Sequence, residues 1–220
     1  MRDFTAKDVL EIYTKARKKY PSRDLPHIWK IVKEEFEEYA SSRTTGDIGQ
    51  AWRNTSGKAF EVIIGRIVKN VLTKDKFTSR NVSVKFFKEL IASEIKDVSC
   101  QLNRRCSGES VSTSYEPDIV VFKNGAPKLI ISCKTSLRVR VSMDLFWSEK
   151  YRVRGCKFIL VSAETVRKLG TCQEPKKVRA LAEAIYDRLY IVGDMKYCSV
   201  VRPFRDIEGD MERWLLQDLP

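Results

Sequence analysis

Apolar residues recur at helical spacing from Thr5 to Tyr20, where Val9, Leu10, Ile12, Tyr13 and Ala16 form one stripe and Lys15, Arg17, Lys18 and Lys19 a basic end before Pro21. Leu25 to about Ser41 repeats the pattern through Ile28, Trp29, Ile31, Val32, Phe36 and Tyr39. The two segments predict an N-terminal helical layer over residues 1–41 and a candidate dimer arm. Ser42 to Gln50 is polar and reads as a loop. Ala51 to Leu72, most regular from Ser56 onward, predicts the longest helix, with Phe60, Ile63, Ile64, Ile67, Val68 and Val71 spaced for burial. Over Asn81 to Lys96 the period changes from about two to 3.6, which predicts a strand running into a helix. Ser99 to Ser114 is a polar loop or irregular strand that carries Arg104 and Arg105.

Two β-branched runs follow, Ile119 to Phe122 and Lys128 to Lys134, separated by a turn that contains Asn124-Gly125. Asn-Gly between apolar runs is the strongest local signal for a β-hairpin. A two-residue turn would pair Asp118 with Ile131 and face it away from Lys134. A three-residue loop, Asn124-Gly125-Ala126, pairs Asp118 with Ser132, sets Lys134 diagonally adjacent and lets Pro127 open the second strand. The longer loop is the expectation.

Past the hairpin, Thr135 to Val141 reads as extended, with Arg138 and Arg140 on one face. Ser142 is a credible N-cap for a helix to about Tyr151, on which Leu145, Phe146, Glu149 and Val153 share a side. Lys157 to Ser162 predicts a buried strand beside Ser132 to Lys134, joined through a helical crossover. Helices are expected over Thr165 to Leu169, Lys176 to Asp187 and Phe204 to Gln217, and strands over Leu189 to Val192 and Tyr197 to Val201. The sum is an α/β chain, a central mixed β-sheet flanked by helices, read as a single domain over residues 1–220.

Composition narrows the chemistry. A net charge of +12 and a pI near 9.4 favour a polyanionic partner. No run of transmembrane length, signal peptide or lipidation motif is evident, so a cytoplasmic protein without membrane attachment is expected. The six cysteines include no C-x-x-C pair, which suits buried thiols better than zinc or disulfides. His27 is the only histidine and has no catalytic neighbours in sequence, which excludes ββα-metal nucleases, His-ligated zinc hydrolases and Ser-His-Asp hydrolases. Glycine-rich phosphate cradles are absent.

An acid and a lysine that converge at the open end of a hairpin suit metal-dependent phosphodiester hydrolysis. Asp118 can hold Mg²⁺ while Lys134 neutralises a scissile phosphate or orients water. Glu149 is an acid on an apolar stripe, costly to bury unless a metal or an arginine, Arg152 or Arg154, answers it. Glu61 borders the core stripe of its helix, either as a supporting acid or as an ordinary partner of Lys58 or Arg66.

Glu116-Pro117-Asp118 followed by Ser132-Cys133-Lys134 resembles the active-site signature of the PD-(D/E)xK nuclease superfamily, over about residues 50 to 162. It is most similar to the type II restriction endonucleases in which Ser-x-Lys replaces the usual acid-x-Lys, a group that includes enzymes cutting CCGG-like sites. The resemblance implies a restriction-endonuclease-like fold. It also implies a replacement acid on the next helix, here Glu149, and a glutamate on the helix that carries Gly57-Lys58-Ala59-Phe60-Glu61. Where that group carries Arg-acid-Arg, this chain has Arg138-Val139-Arg140. Val139 cannot accept from cytosine N4, so DNA contact by the arginines is expected without a named target sequence.

The expected protein is thus an Mg²⁺-dependent type II restriction endonuclease, a homodimer that cuts a short, palindromic, G/C-containing double-stranded DNA site with one or two ions per active site. Asp118, Glu149 and the Cys133 carbonyl would hold metal, with Lys134, Ser132 and Glu61 in supporting catalytic roles. Arg104, Arg105, Arg138 and Arg140 would contact DNA. The alternatives are a repair or junction nuclease and a non-catalytic DNA-binding protein on a degenerate nuclease scaffold.

Overall fold

The structure, a computed structural model, describes residues 4–86, 89, 117–135, 155–163, 169–171, 173–192 and 200–216. Glu149, Arg104, Arg105, Arg138 and Arg140, the helices expected after Phe86 and Ser142, and most of the Thr165 to Leu169 helix lie outside these residues.

Three helices come first: α1 (Ala6–Lys19), α2 (Leu25–Ser41) and α3 (Ile48–Leu72). Each begins where a carboxylate answers free amides. The Thr5 amide donates to Asp8 at 2.8 Å, the His27 amide to Asp24 at 3.2 Å, and the Gln50 amide to Asp47 at 3.0 Å. His27 sits half-exposed in the Asp24 cap, a structural position. The third cap corrects the expected loop, because α3 starts at Ile48, inside the polar stretch. Its first turn is held by packing as well as by the cap: Trp52 lies 5.4 Å, ring to ring, from both Trp29 and Phe36. These rings, with Phe60 against Trp29, join α2 to α3, and Val9 and Ala16 of α1 enter the same core.

A short helix, α4 (Asp75–Thr78), leads into a six-stranded mixed sheet: β1 (Val82–Phe86), β2 (Ile119–Lys123), β3 (Ala126–Lys134), β4 (Lys157–Ser162), β5 (Arg188–Ile191) and β6 (Val201–Pro203). Spatial order follows chain order among the described strands. The first two pairings are antiparallel and the last three parallel. Alternate residues of the central strands enter two separate cores. Ile119, Val121, Leu129, Ile131, Cys133, Ile159 and Val161 pack with α1 to α3 and with α6 (Ile207–Leu216), which follows a 3-10 turn at Phe204–Asp206. Val120, Phe122, Ile130, Phe158 and Leu160 pack on the other face with Ala182 and Ile185 of α5 (Lys177–Ile185). Burial on both faces explains why these strands read as unbroken apolar runs.

The hairpin reaches its expected pairing by a different route. The turn is two residues, Asn124 and Gly125, both at positive φ (53° and 78°), as a type I′ turn requires, with Lys123 opposite Ala126. The register then shifts: Phe122 pairs with Pro127 but Val121 with Leu129, leaving Lys128 as the extra residue of a β-bulge. The bulge restores what the shorter turn would have lost, and one step beyond Ile119↔Ile131 Asp118 stands across from Ser132. Deleting Lys128 should therefore give a regular ladder with the hairpin mouth intact, seen as a cooperative melt and a retained Asp118–Lys134 ion pair in a crystal structure. Deleting Ile130 should turn Ser132 and Lys134 to the other face and abolish both.

Candidate active site

Asp118 sits at the mouth of β2 and Lys134 at the end of β3, where the strands leave the double-sided core. Side-chain alternation carries Ser132 and Lys134 to the α5 side of the sheet and Cys133 to the α3 side. Asp118 Oδ2 accepts from two groups, the Cys133 amide at 2.6 Å and Lys134 Nζ at 2.7 Å. Both partners of the ion pair are largely covered, with 19% of the Asp118 side chain and 15% of Lys134 exposed. Charge-assisted bonds at these distances fix the carboxylate's orientation. Asp118 Oδ1 accepts no hydrogen bond among the described residues.

Ser132 is fully buried, and its Oγ has no hydrogen-bond partner among the described residues. An orphaned buried hydroxyl is costly. On β4, Ser162 is paired with Lys134 and fully buried too, a neighbour that sequence reading did not single out. The signal available was its position as the last polar residue of an apolar strand.

Glu61 lies on α3, with 10% of its side chain exposed, and Lys58 Nζ bonds both carboxylate oxygens, Oε1 at 2.6 Å. Of the partners weighed from sequence, Lys58 is the one engaged. Both ends of the arrangement bear on the Cys133 thiol. Burial pushes it well above its ordinary value, the Asp118 charge pushes the same way, Lys134 opposes, and Glu61 and Lys58 act likewise in opposite senses. Glu61 thus belongs to α3, on the face of the sheet that Cys133 enters, while Asp118 and Lys134 meet on the other face.

The donor set fits a hard divalent cation. Asp118 offers a free carboxylate oxygen. A strand residue's amide and carbonyl point to the same edge, so the Cys133 carbonyl projects to the side where its amide meets Asp118. Oxygen donors of this kind suit Mg²⁺, which takes one or two carboxylates and keeps its remaining positions for water and phosphate. Among the described residues no group of three or more acid, cysteine or histidine ligands occurs, and the further acid expected from sequence, Glu149, lies outside them. No helix among the described residues is long and apolar enough to cross a membrane.

Comparison with known proteins gives the chain its family. The family model described as BsaWI restriction endonuclease type 2 matches residues 91–210, more than half of the chain and a span that includes Asp118, Ser132, Lys134 and Glu149. No curated protein sequence matches the chain significantly. Among solved structures, the restriction endonuclease AgeI in specific complex with DNA superposes with a TM-score of 0.69 at 15% identity, covering 98% of this chain and 86% of that one. A pre-specific BsaWI–DNA complex aligns at 16% identity over 94% of this chain and 83% of its own, with a TM-score of 0.43. The AgeI likeness carries the fold alone: a mixed sheet flanked by helices with an N-terminal helical region.

Proposed function

Because the chain belongs to the BsaWI family of type II restriction endonucleases, we propose that it hydrolyses double-stranded DNA at a short, palindromic, G/C-containing site, in an Mg²⁺-dependent reaction, as a cytoplasmic homodimer. The observation that carries the metal-dependent reading is Asp118 Oδ2, held between the Cys133 amide and Lys134 Nζ at the open end of a buried hairpin.

Asp118, Glu149 and the Cys133 carbonyl are the residues that would hold one or two ions. When bound, Mg²⁺ supplies Lewis acidity and a more acidic water. Lys134 Nζ, positioned by Asp118, donates to a non-bridging phosphate oxygen or orients the attacking water, countering charge as it grows on phosphorus. Ser132 Oγ, buried without a partner among the described residues, donates to a water or to Glu149. Glu61 and its Lys58 partner support the α3 side of Cys133. Arg138 and Arg140 follow β3 and contact phosphates or guanine edges, and Arg104 and Arg105 add backbone contacts. A two-fold DNA site is met by a two-fold dimer, for which the outward faces of α1 and α2 are the proposed surface. Family membership favours this reading over a repair nuclease or a binding module without activity.

Digestion of a plasmid library with Mg²⁺, followed by sequencing of the ends, tests the proposal. One fixed, symmetric, G/C-containing sequence should flank every cut. Ends without a common sequence, or no Mg²⁺-dependent cutting, would refute it. Glu149→Gln should weaken divalent binding, read as a smaller thermal stabilisation by Mg²⁺ in the absence of DNA. An unchanged titration would transfer the second acid to Asp144, two residues past the expected N-cap Ser142, or to Glu61.

A further inference from the structure

Away from Asp118 and Lys134, on the α3 side of the sheet, α6 lies against β5 and shares one core with Tyr190 and Val192 through Ile207, Met211 and Leu215. Beside this contact is a polar cluster that the cleavage chemistry does not use. Asp210 is 1% exposed and accepts from the Tyr190 hydroxyl at 2.7 Å. Three arginines surround it: Arg188 Nε at 3.8 Å, Arg202 Nη1 at 3.5 Å and Arg213 Nη1 at 3.6 Å. All three distances exceed the ordinary hydrogen-bond range.

Among the described residues, one carboxylate against three guanidinium groups leaves two positive charges uncancelled. A clamp built only to neutralise Asp210 would need a single arginine at bonding distance, since Tyr190 already supplies one donor. Three at longer range repel one another without saturating the acid. Their donors are also underused. Arg188 Nη1 bonds the Asp187 carbonyl at 2.8 Å, but its Nε is buried without a hydrogen-bond partner among the described residues. Arg188 lies over the Trp214 ring at 6.0 Å, which holds its plane. The three side chains remain 25%, 31% and 49% exposed, so an incoming anion can reach them.

We propose that Arg188, Arg202 and Arg213, gathered by Asp210, form a binding site for a backbone phosphodiester of the DNA, separate from the scissile one. Planar guanidinium forks match phosphate oxygens in pairs, and such a contact positions the duplex without reading its sequence. Strand register sets its place. Tyr190 is paired with Val161 and Val161 with Cys133, so the cluster is level with the catalytic hairpin, two to three strands away. At about 4.8 Å per strand this is roughly 10 to 15 Å along the sheet, with the cluster on the α3 face and Asp118 and Lys134 on the α5 face, so the phosphate bound here is not the scissile one.

This inference rests on the endonuclease reading, and its test separates the two. Binding of the full-length protein to fluorescent duplexes, with and without the recognition sequence, is measured without divalent metal across a salt series. Arg213→Gln and Arg202→Gln should each lower the slope of log Kd against log salt by about one and weaken both duplexes alike, roughly three- to tenfold. Lys69→Gln, an exposed change in the last turn of α3, should leave the slope unaltered. Variants that melt earlier but keep the wild-type slope would make the cluster structural and overturn this site alone. A wild-type protein that binds no duplex would overturn the site together with the endonuclease reading.

Discussion

Lys134→Ala is expected to lower Mg²⁺-dependent cleavage by about a thousandfold, while binding of duplex DNA changes little. The ammonium is placed by the 2.7 Å bond to Asp118 and is mostly shielded from water, where a positive charge beside developing negative charge counts most. A thousandfold loss corresponds to about 4 kcal/mol of transition-state stabilisation. Binding draws on charge spread over a chain of net +12, of which Lys134 is one part. The same substitution has a second, independent consequence. Lys134 competes with a cation for Asp118 Oδ2, so the alanine variant should bind divalent metal at least as tightly as the wild type, read by calorimetry without DNA. Retained cleavage would remove Lys134 from the mechanism.

Asp118→Asn should have the opposite profile, with both cleavage and metal response lost. The asparagine is of equal size but carries no charge, and it presents one carbonyl oxygen where Asp118 presents two. A ligand at a hundred times its dissociation constant stabilises a fold by about 2.7 kcal/mol, and this increment should vanish from thermal melts of the variant in Mg²⁺. Without metal the variant should also melt lower than the wild type, because Lys134 would be left covered and without its counterion, at a cost of about 1 to 3 kcal/mol. Its DNA binding should persist, since the lost charge is negative. A variant with undiminished Mg²⁺ stabilisation would show that the ion is held elsewhere.

Much of the scaffold was legible because burial is periodic. The span of α2 and that of β4 follow from their apolar positions alone, and the acid and lysine that meet at the hairpin mouth were visible as the polar exceptions in two apolar runs. The turn was misjudged for a physical reason. Pro127 has no amide to give the ladder, and the exposed Lys128 beside it is free to bulge, so two irregularities cancel in the register and neither is marked in the sequence. The start of α3 was hidden because Asp47 looks like loop composition until Trp52 is seen packed between Trp29 and Phe36. The Asp210 cluster was out of reach of local reading altogether: its arginines come from β5, β6 and α6, and only the parallel pairing of the last two strands with α6 above them brings the charges together.

On the proposed reading, a divalent ion is bound where Asp118 meets the Cys133 backbone. The most direct test is anomalous diffraction from crystals of the protein soaked in Mn²⁺. A peak coordinated by the Asp118 carboxylate and the Cys133 carbonyl, with Glu149 completing the protein ligands, is the predicted result. An ion bound by other residues, or none at this position in an enzyme that still cleaves with Mn²⁺, would contradict it.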